Sequence, residues 1–292
     1  MASVGVALLT IGLKTAAWWM TGSVGLLSDA LEALVNLAGA SFGLLMVTIA
    51  ARPADAEHPY GHHKAEYFSS GFEGVLIVFA ALAIVWAALH RLWAPLPLQR
   101  LDVGLLLTLL STALNGGLAW VMLRASRVHR SAALEGDARH LFTDVWTSVG
   151  VVVGVGLVAA TGWLWLDPLL AIAVALNILR EGLRLVWRAA QGLMDEALDP
   201  ALQSQIEATL AGFAEHQPLV RFDHVATRGA GQRRFADLHM HLPAGWSLGR
   251  AAALRGQVEQ ALMQAVPGLR ASIQLLPTGV EALAILEEDS EK

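Results

Sequence analysis

The sequence predicts two parts. The first is an all-helical membrane domain of six spanning helices, residues 1–192. The second is a small α+β domain of order α-β-β-α-β, residues 193–284, followed by an acidic tail, 285–292. Three observations lead there. The 292 residues are 55% hydrophobic and 15% charged, with a mean hydropathy of +0.52, too apolar for an ordinary water-soluble chain of that length. Six apolar stretches each supply the ~20 residues that a spanning helix needs. Beyond about residue 199 charge rises and apolar runs shorten.

The spans fall at about 3–20, 25–50, 68–93, 101–125, 131–160 and 164–188. The opening "MASVGVALLTIGLK" lacks a basic leader and a small-residue cleavage site, so it reads as the first span rather than a signal peptide. The link "MTGSVG" is short enough to fold the first two spans into a hairpin. In "WAPLPLQR", Pro95 and Pro97 end the third span, because proline removes a helical donor and clashes with the preceding turn. Arg52 and Lys64 fall in the second loop. Arg124, Arg127, Arg130 and Arg139 flank the fourth, and Arg184 and Arg188 end the sixth span. The other side offers mainly Arg91 and Arg100. Positive charge stays on the cytoplasmic side, so both termini are expected there, in a multi-pass protein of the inner cell membrane.

In the second part, "PALQSQIEATLAGF" reads as an amphipathic helix. "VRFDHVATRGAGQRRFADLHMHLP" reads as a hairpin turning at "GAGQ". "SLGRAAALRGQVEQALMQAV" is a second helix with Ser247 as its cap, and "RASIQLLP" is a last strand. The tail reads as a frayed end.

Ionisable groups inside spans cost insertion free energy and mark function by default. The second span carries Asp29, Glu32 and Asn36, and the fifth carries His140 and Asp144. Residues four apart share a helix face. Two such faces meeting would set Glu32, Asn36, His140 and Asp144 around one point. One imidazole with carboxylate and amide oxygens suits a divalent metal. Asp29, two turns from Asn36, is a candidate outer or pathway group. The bland alternative, helix-packing hydrogen bonds, explains Asn36 alone as well as ligation does.

The second loop, "ARPADAEHPYGHHKAEYF", gathers Asp55, His58, His62 and His63, with Glu57 and Glu66 near by. His224, His239 and His241 fall on neighbouring predicted strands, the last two on one face. Such strand histidines are equally consistent with a plain surface. There is no cysteine, so disulfides and thiolate metal sites are excluded. No Lys/Arg run suggests nucleic-acid binding. "GASFG" at 39–43 fits a hydrolase nucleophile elbow around Ser41, but that motif needs a strand–turn–helix. Inside a span, Gly39 and Gly43 point instead to close helix packing, and no enzyme is expected.

Together "LKTAAWWMTGSVGLLSDALEALVN", "RPADAEHPYGHHKAE", "HLFTDVWTSVGVVVG", "GLMDEAL" and "GQVEQALMQAVPG" resemble the cation diffusion facilitator family, in particular its bacterial zinc/iron-efflux branch, over nearly the whole length. The resemblance implies six transmembrane helices, a metallochaperone-like cytoplasmic domain, a homodimer, and exchange of a cytoplasmic divalent metal for protons. His140 and Asp144 match the family's HxxxD motif. Glu32 and Asn36 fall on its (H/D)xxxD motif and depart from it, and Asn36 removes one negative charge. Asp55, His58 and His62 match the family's loop site. Lys64 and Asp195 match its inter-subunit charge interlock. His224 and His239 match two cytoplasmic ligands, whereas Ala252, Gln274 and Leu276 stand where others would be. A full two-metal cytoplasmic site is therefore not expected.

The expected cargo is Zn²⁺, with Fe²⁺, Mn²⁺, Co²⁺, Ni²⁺ and Cd²⁺ as alternatives. The single imidazole moves the balance some way toward Fe²⁺ or Mn²⁺. Protons compete for the same lone pairs, since ligation needs neutral imidazole and ionised carboxylate. The runner-up is a metal-responsive membrane sensor without appreciable transport.

Overall fold

The computed structural model describes residues 2–129 and 132–281. The expected acidic tail, 285–292, and Arg130 lie outside the described residues. The elements are α1 Ala2–Thr21, α2 Val24–Ala50, α3 Ala65–Trp93, α4 Leu101–His129, α5 Ala132–Thr161, α6 Leu166–Leu193, α7 Pro200–His216, β1 Arg221–Ala230, β2 Arg233–Leu242, α8 Leu248–Ala265 and β3 Leu269–Pro277. The chain forms two compact units. One holds residues up to Met46 with Phe68–Arg188; the other holds Val47–Tyr67 with residues from Ala189 onward.

The helices of the first unit stop where the chain chemistry dictates. Gly22 ends α1 with φ +67, a left-handed conformation that glycine adopts without steric cost. The stretch holding Pro95 and Pro97 separates α3 from α4. The first turn of α2 is capped from another helix. Asp167 of α6 is buried and accepts hydrogen bonds from the backbone N–H groups of Val24 at 2.8 Å and Gly25 at 3.2 Å, and from the Ser23 hydroxyl. A carboxylate there satisfies donors the helix leaves free and opposes the positive end of its dipole.

Glycine permits a close crossing of α3 and α6. A Cβ on Gly74 of α3 would lie 2.9 Å from the Val186 backbone nitrogen of α6, and one on Gly182 would lie 3.1 Å from the Gly74 carbonyl oxygen. Gly39 and Gly43 of α2 face Glu73 and Ser69 of α3. Ser41 lies within α2, where its hydroxyl donates to the Leu37 carbonyl at 2.7 Å. The packing reading of "GASFG" is the one the geometry supports.

Six long helices, α1 to α6, stand where six spans were expected. Among the described residues five helices, α1 to α5, are long and apolar enough to cross a bilayer. The sixth, α6, is present at full length but carries Asp167, Arg180, Glu181, Arg184 and Arg188. Its uncharged run is thus confined to residues 168–179, and its second half is amphipathic.

In the second unit β2 is the central strand, antiparallel to β1 and parallel to β3. The parallel pair is joined through α8, as a crossover requires. Along β2 the even positions Ala236, Leu238, Met240 and Leu242 are buried against Ile206 and Leu210 of α7 and Leu254, Val258 and Leu262 of α8. The odd positions, Asp237, His239 and His241, take the other face. The α8 residues repeat at helical spacing, and each fully buried aliphatic side chain contributes about 1.5–3 kcal/mol. Ser247 caps α8, accepting from the Arg250 backbone N–H at 3.3 Å.

The loop between α2 and α3 belongs to this unit. Tyr60 meets Phe235 edge to face at 6.2 Å, Arg228 lies over the Tyr60 ring, and Gln232 donates to Glu66 at 3.3 Å.

Candidate metal centres

The two polar helix faces predicted from spacing do meet. The Asn36 side-chain amide of α2 donates to Asp144 Oδ2 of α5 at 3.1 Å. Asp144 is 7% exposed, and its Oδ1 has no hydrogen-bond partner. Glu32, Asn36, His140 and Asp144 all line one cavity of about 610 Å³. That cavity reaches Gly25 and Asp167, beside the α1–α2 turn. A second cavity, about 480 Å³, runs toward the opposite helix ends, to Val4, Gly43, Ser69 and Met122. The two cavities share four residues, Asn36, Glu73, His140 and Asp144.

Asp29 has a different partner from the one its helix face suggested. Lys14 of α1 donates to Asp29 Oδ1 at 2.6 Å, and the Ser148 hydroxyl of α5 donates to the same oxygen at 2.7 Å. All three side chains are buried. Sequence reading passed over Lys14, although a lone lysine in an apolar span is itself the signal.

In the loop, Asp55, His58 and His62 present ligand atoms within 4.8 Å of one another. The His58 and His62 nitrogens lie 3.3 and 3.5 Å from the Asp55 carboxylate. The exposed Asp55 is held below the usual carboxylate range, first by the His58 backbone N–H at 2.7 Å. It therefore stays a competent anionic ligand. The buried Nδ1 of His62 has no partner.

On the sheet the expected pair comes together and gains company. His224 sits at a bulge in β1 with φ +47. The extra residue re-aims its ring to 4.9 Å from that of His239. Asp223 and His241 join them. His241 Nε2 is 3.0 Å and His239 Nδ1 is 3.5 Å from the Asp223 carboxylate, and His241 is 1% exposed. Arg221 also pairs with Asp223 at 2.8 Å. Burial pushes the Asp223 pKa up, but the His241 hydrogen bond and the neighbouring cations outweigh it and leave it lowered. Asp223 went unread in the sequence because the bulge, not strand periodicity, brings it across from His239.

At the interlock positions, Lys64 and Asp195 pair within the chain at 3.0 Å. Arg228 is also on Asp195 at 3.2 Å, and Lys64 donates to the Leu193 carbonyl. Desolvation opposes the charge of Asp195, yet these two cations hold its pKa below the ordinary value.

Residues 1–194 match the cation efflux transmembrane domain, and residues 198–278 match the cation efflux protein cytoplasmic domain. The chain belongs to the cation efflux family, the cation diffusion facilitators. It is a multi-pass membrane transporter of divalent metals. The transporter is 47% identical to an uncharacterized transporter of Synechocystis sp. over 94% of this chain and 88% of that one. It is 31% identical to the cation-efflux pump FieF of Klebsiella pneumoniae over 96% and 92%. Its second domain is also similar to the Zn form of the transporter CzrB, at 32% identity, 30% of this chain, 98% of that one and a TM-score of 0.28.

Proposed function

We propose that this cation diffusion facilitator exports a divalent transition metal from the cytoplasm in exchange for protons. It acts as a homodimer in the inner membrane with both termini cytoplasmic. Zn²⁺ is the leading cargo. Glu32, Asn36, His140 and Asp144 form the transport site. The observation that carries this reading is Asp144: a buried carboxylate at the meeting of two cavities, with one oxygen held by Asn36 and the other unpartnered.

An ion crossing a bilayer sheds water, and the site replaces that shell with an imidazole and oxygens. Ligation requires neutral His140 and ionised carboxylates. Metal and protons therefore exclude one another, and access from alternate ends turns that exclusion into antiport. Asp55, His58 and His62 are assigned as a second metal site in the loop, and His224 and His239 as a weak third, with Asp223 and His241 beside them. Lys64 and Asp195 are assigned a structural role. The domain dimerises chiefly through apolar surface.

The test is flux into proteoliposomes under an imposed pH gradient, with Zn²⁺, Fe²⁺, Mn²⁺, Co²⁺, Ni²⁺ and Cd²⁺ in turn. Uptake that requires the gradient is expected for at least one ion, and Asp144→Ala is expected to abolish it while the purified dimer stays intact. Wild-type rates in Asp144→Ala would sink the site assignment. Absence of flux in the unaltered protein would favour a sensor.

A further inference from the structure

Glu73 of α3 has no place in the transport site as the sequence defines it, yet it lines both cavities together with Asn36, His140 and Asp144. It is half-buried in a helix long and apolar enough to span the bilayer. No salt bridge joins it to any cation among the described residues. Gly39 fixes its position. A Cβ there would lie 3.0 Å from Glu73 Cγ and 3.3 Å from Oε1, so the acid packs directly on the α2 backbone. Gly39 follows Asn36 by three residues, and the two share a helix face. The Glu73 carboxyl therefore lies one turn from the amide that leaves α2 a carboxylate short. Asp144, whose Oδ1 has no hydrogen-bond partner, lines the same cavities.

We propose that Glu73 is a further ion-binding residue of the transport site, supplying from α3 the carboxylate that Asn36 does not offer from α2. This rests on the reading that Glu32, Asn36, His140 and Asp144 hold the cargo. An added carboxylate oxygen raises the anionic charge facing a divalent ion and makes the donor set harder. Manganese depends on such ligands more than zinc does. Glu73 would then set metal preference as well as affinity.

The experiment is the concentration dependence of Zn²⁺ and Mn²⁺ flux in proteoliposomes of the full-length protein. The variants are Glu73→Gln, Glu73→Gln with Asn36→Asp, Gly39→Ala and Asp144→Ala. Glu73→Gln is expected to raise KM by about tenfold, a typical penalty for removing a group that supports metal binding, and to raise it more for Mn²⁺ than for Zn²⁺. Adding Asn36→Asp is expected to return KM close to its original value, which a merely structural role for Glu73 would not do. Gly39→Ala keeps the acid but crowds its carboxyl, and is expected to raise KM in the same ion order. This arm decides the matter if Glu73→Gln does not fold. Unchanged KM in Glu73→Gln, or in Gly39→Ala where Glu73→Gln does not fold, overturns the role of Glu73, provided Asp144→Ala is inactive. So does a loss that Asn36→Asp fails to recover. Flux surviving in Asp144→Ala would instead remove the parent assignment, and with it the proposal.

Discussion

At the scale of single residues, the chain places charge inside the bilayer in two ways with opposite energetics. Lys14 and Asp29 form a closed pair, buried and bridged by Ser148. Removing one partner of such a pair leaves an uncompensated charge, at a cost of about 3–5 kcal/mol. Lys14→Met is therefore expected to lower thermal stability in detergent sharply. Lys14→Met combined with Asp29→Leu is expected to recover much of it, because no charge is then stranded. Equal losses in the single and double variants would show that packing rather than charge sets the cost. Asp144, by contrast, has an open oxygen. Asn36→Asp would place a second carboxylate against the ion, and a charged ligand binds more strongly than a neutral amide. Tighter Zn²⁺ binding is expected by calorimetry, after subtraction of the Asp144→Ala titration to remove the other sites. Unchanged or weaker binding would show that the Asn36 side chain turns away from the metal. The meeting of Asn36 and Asp144 was legible because two i,i+4 polar pairs stood out against apolar spans. Lys14 and Glu73 were not read, since each is a lone polar residue whose meaning depends on which helix it faces, and Ser148, though four residues past Asp144 on the same face, carries no charge to mark it.

At the scale of elements, the sequence resolves helices better than it resolves their neighbours. Every predicted span has its helix, because apolar length and proline breaks are local signals. The amphipathic character of α6 was written in Arg180, Glu181, Arg184 and Arg188, yet it is easily overlooked beside "LLAIAVALNIL". The α3–α6 crossing was not legible, since 27 glycines in the chain give no sign of which pair meets. Gly74 is such a contact: an added Cβ would lie 2.9 Å from a Val186 methyl and 2.9 Å from the Val186 backbone nitrogen, and the backbone cannot swing aside. Gly74→Ala is expected to lower stability by about 1–3 kcal/mol, the usual range for overpacking a close contact. Gly117→Ala, where a Cβ meets nothing within 4 Å, serves as the control, and in mid-helix it should be neutral or slightly stabilising. Matching melting curves for the two variants would argue that α3 and α6 separate readily.

At the scale of the whole molecule, the chain carries a cation efflux cytoplasmic domain beside its transmembrane domain, and the metal capacity of that second unit bears on the proposed homodimer. Its hydrophobic core closes within itself, through α7, α8 and all three strands, so the isolated segment 196–292 is expected to fold. It is expected to bind no more than one Zn²⁺ per protomer, and weakly. Asp223, His239 and His241 can converge on an ion, but Arg221 already occupies the Asp223 carboxylate at 2.8 Å and would have to be displaced. His241 is 1% exposed, so an ion must also enter a covered position. Beyond them, Ala252 and Leu276 carry no ligand atom, and Gln274 offers only an amide, which leaves a second ion without a shell. Equilibrium dialysis of the segment with Zn²⁺ measures the stoichiometry. Arg221→Ala should tighten the single site by freeing its carboxylate. Two tightly bound ions per protomer, or no effect of Arg221→Ala on a measurable site, would mean that ligands other than Asp223, His239 and His241 hold the metal. No binding at all would reduce the cluster to a hydrogen-bonded sheet face, leaving dimerisation to apolar packing alone.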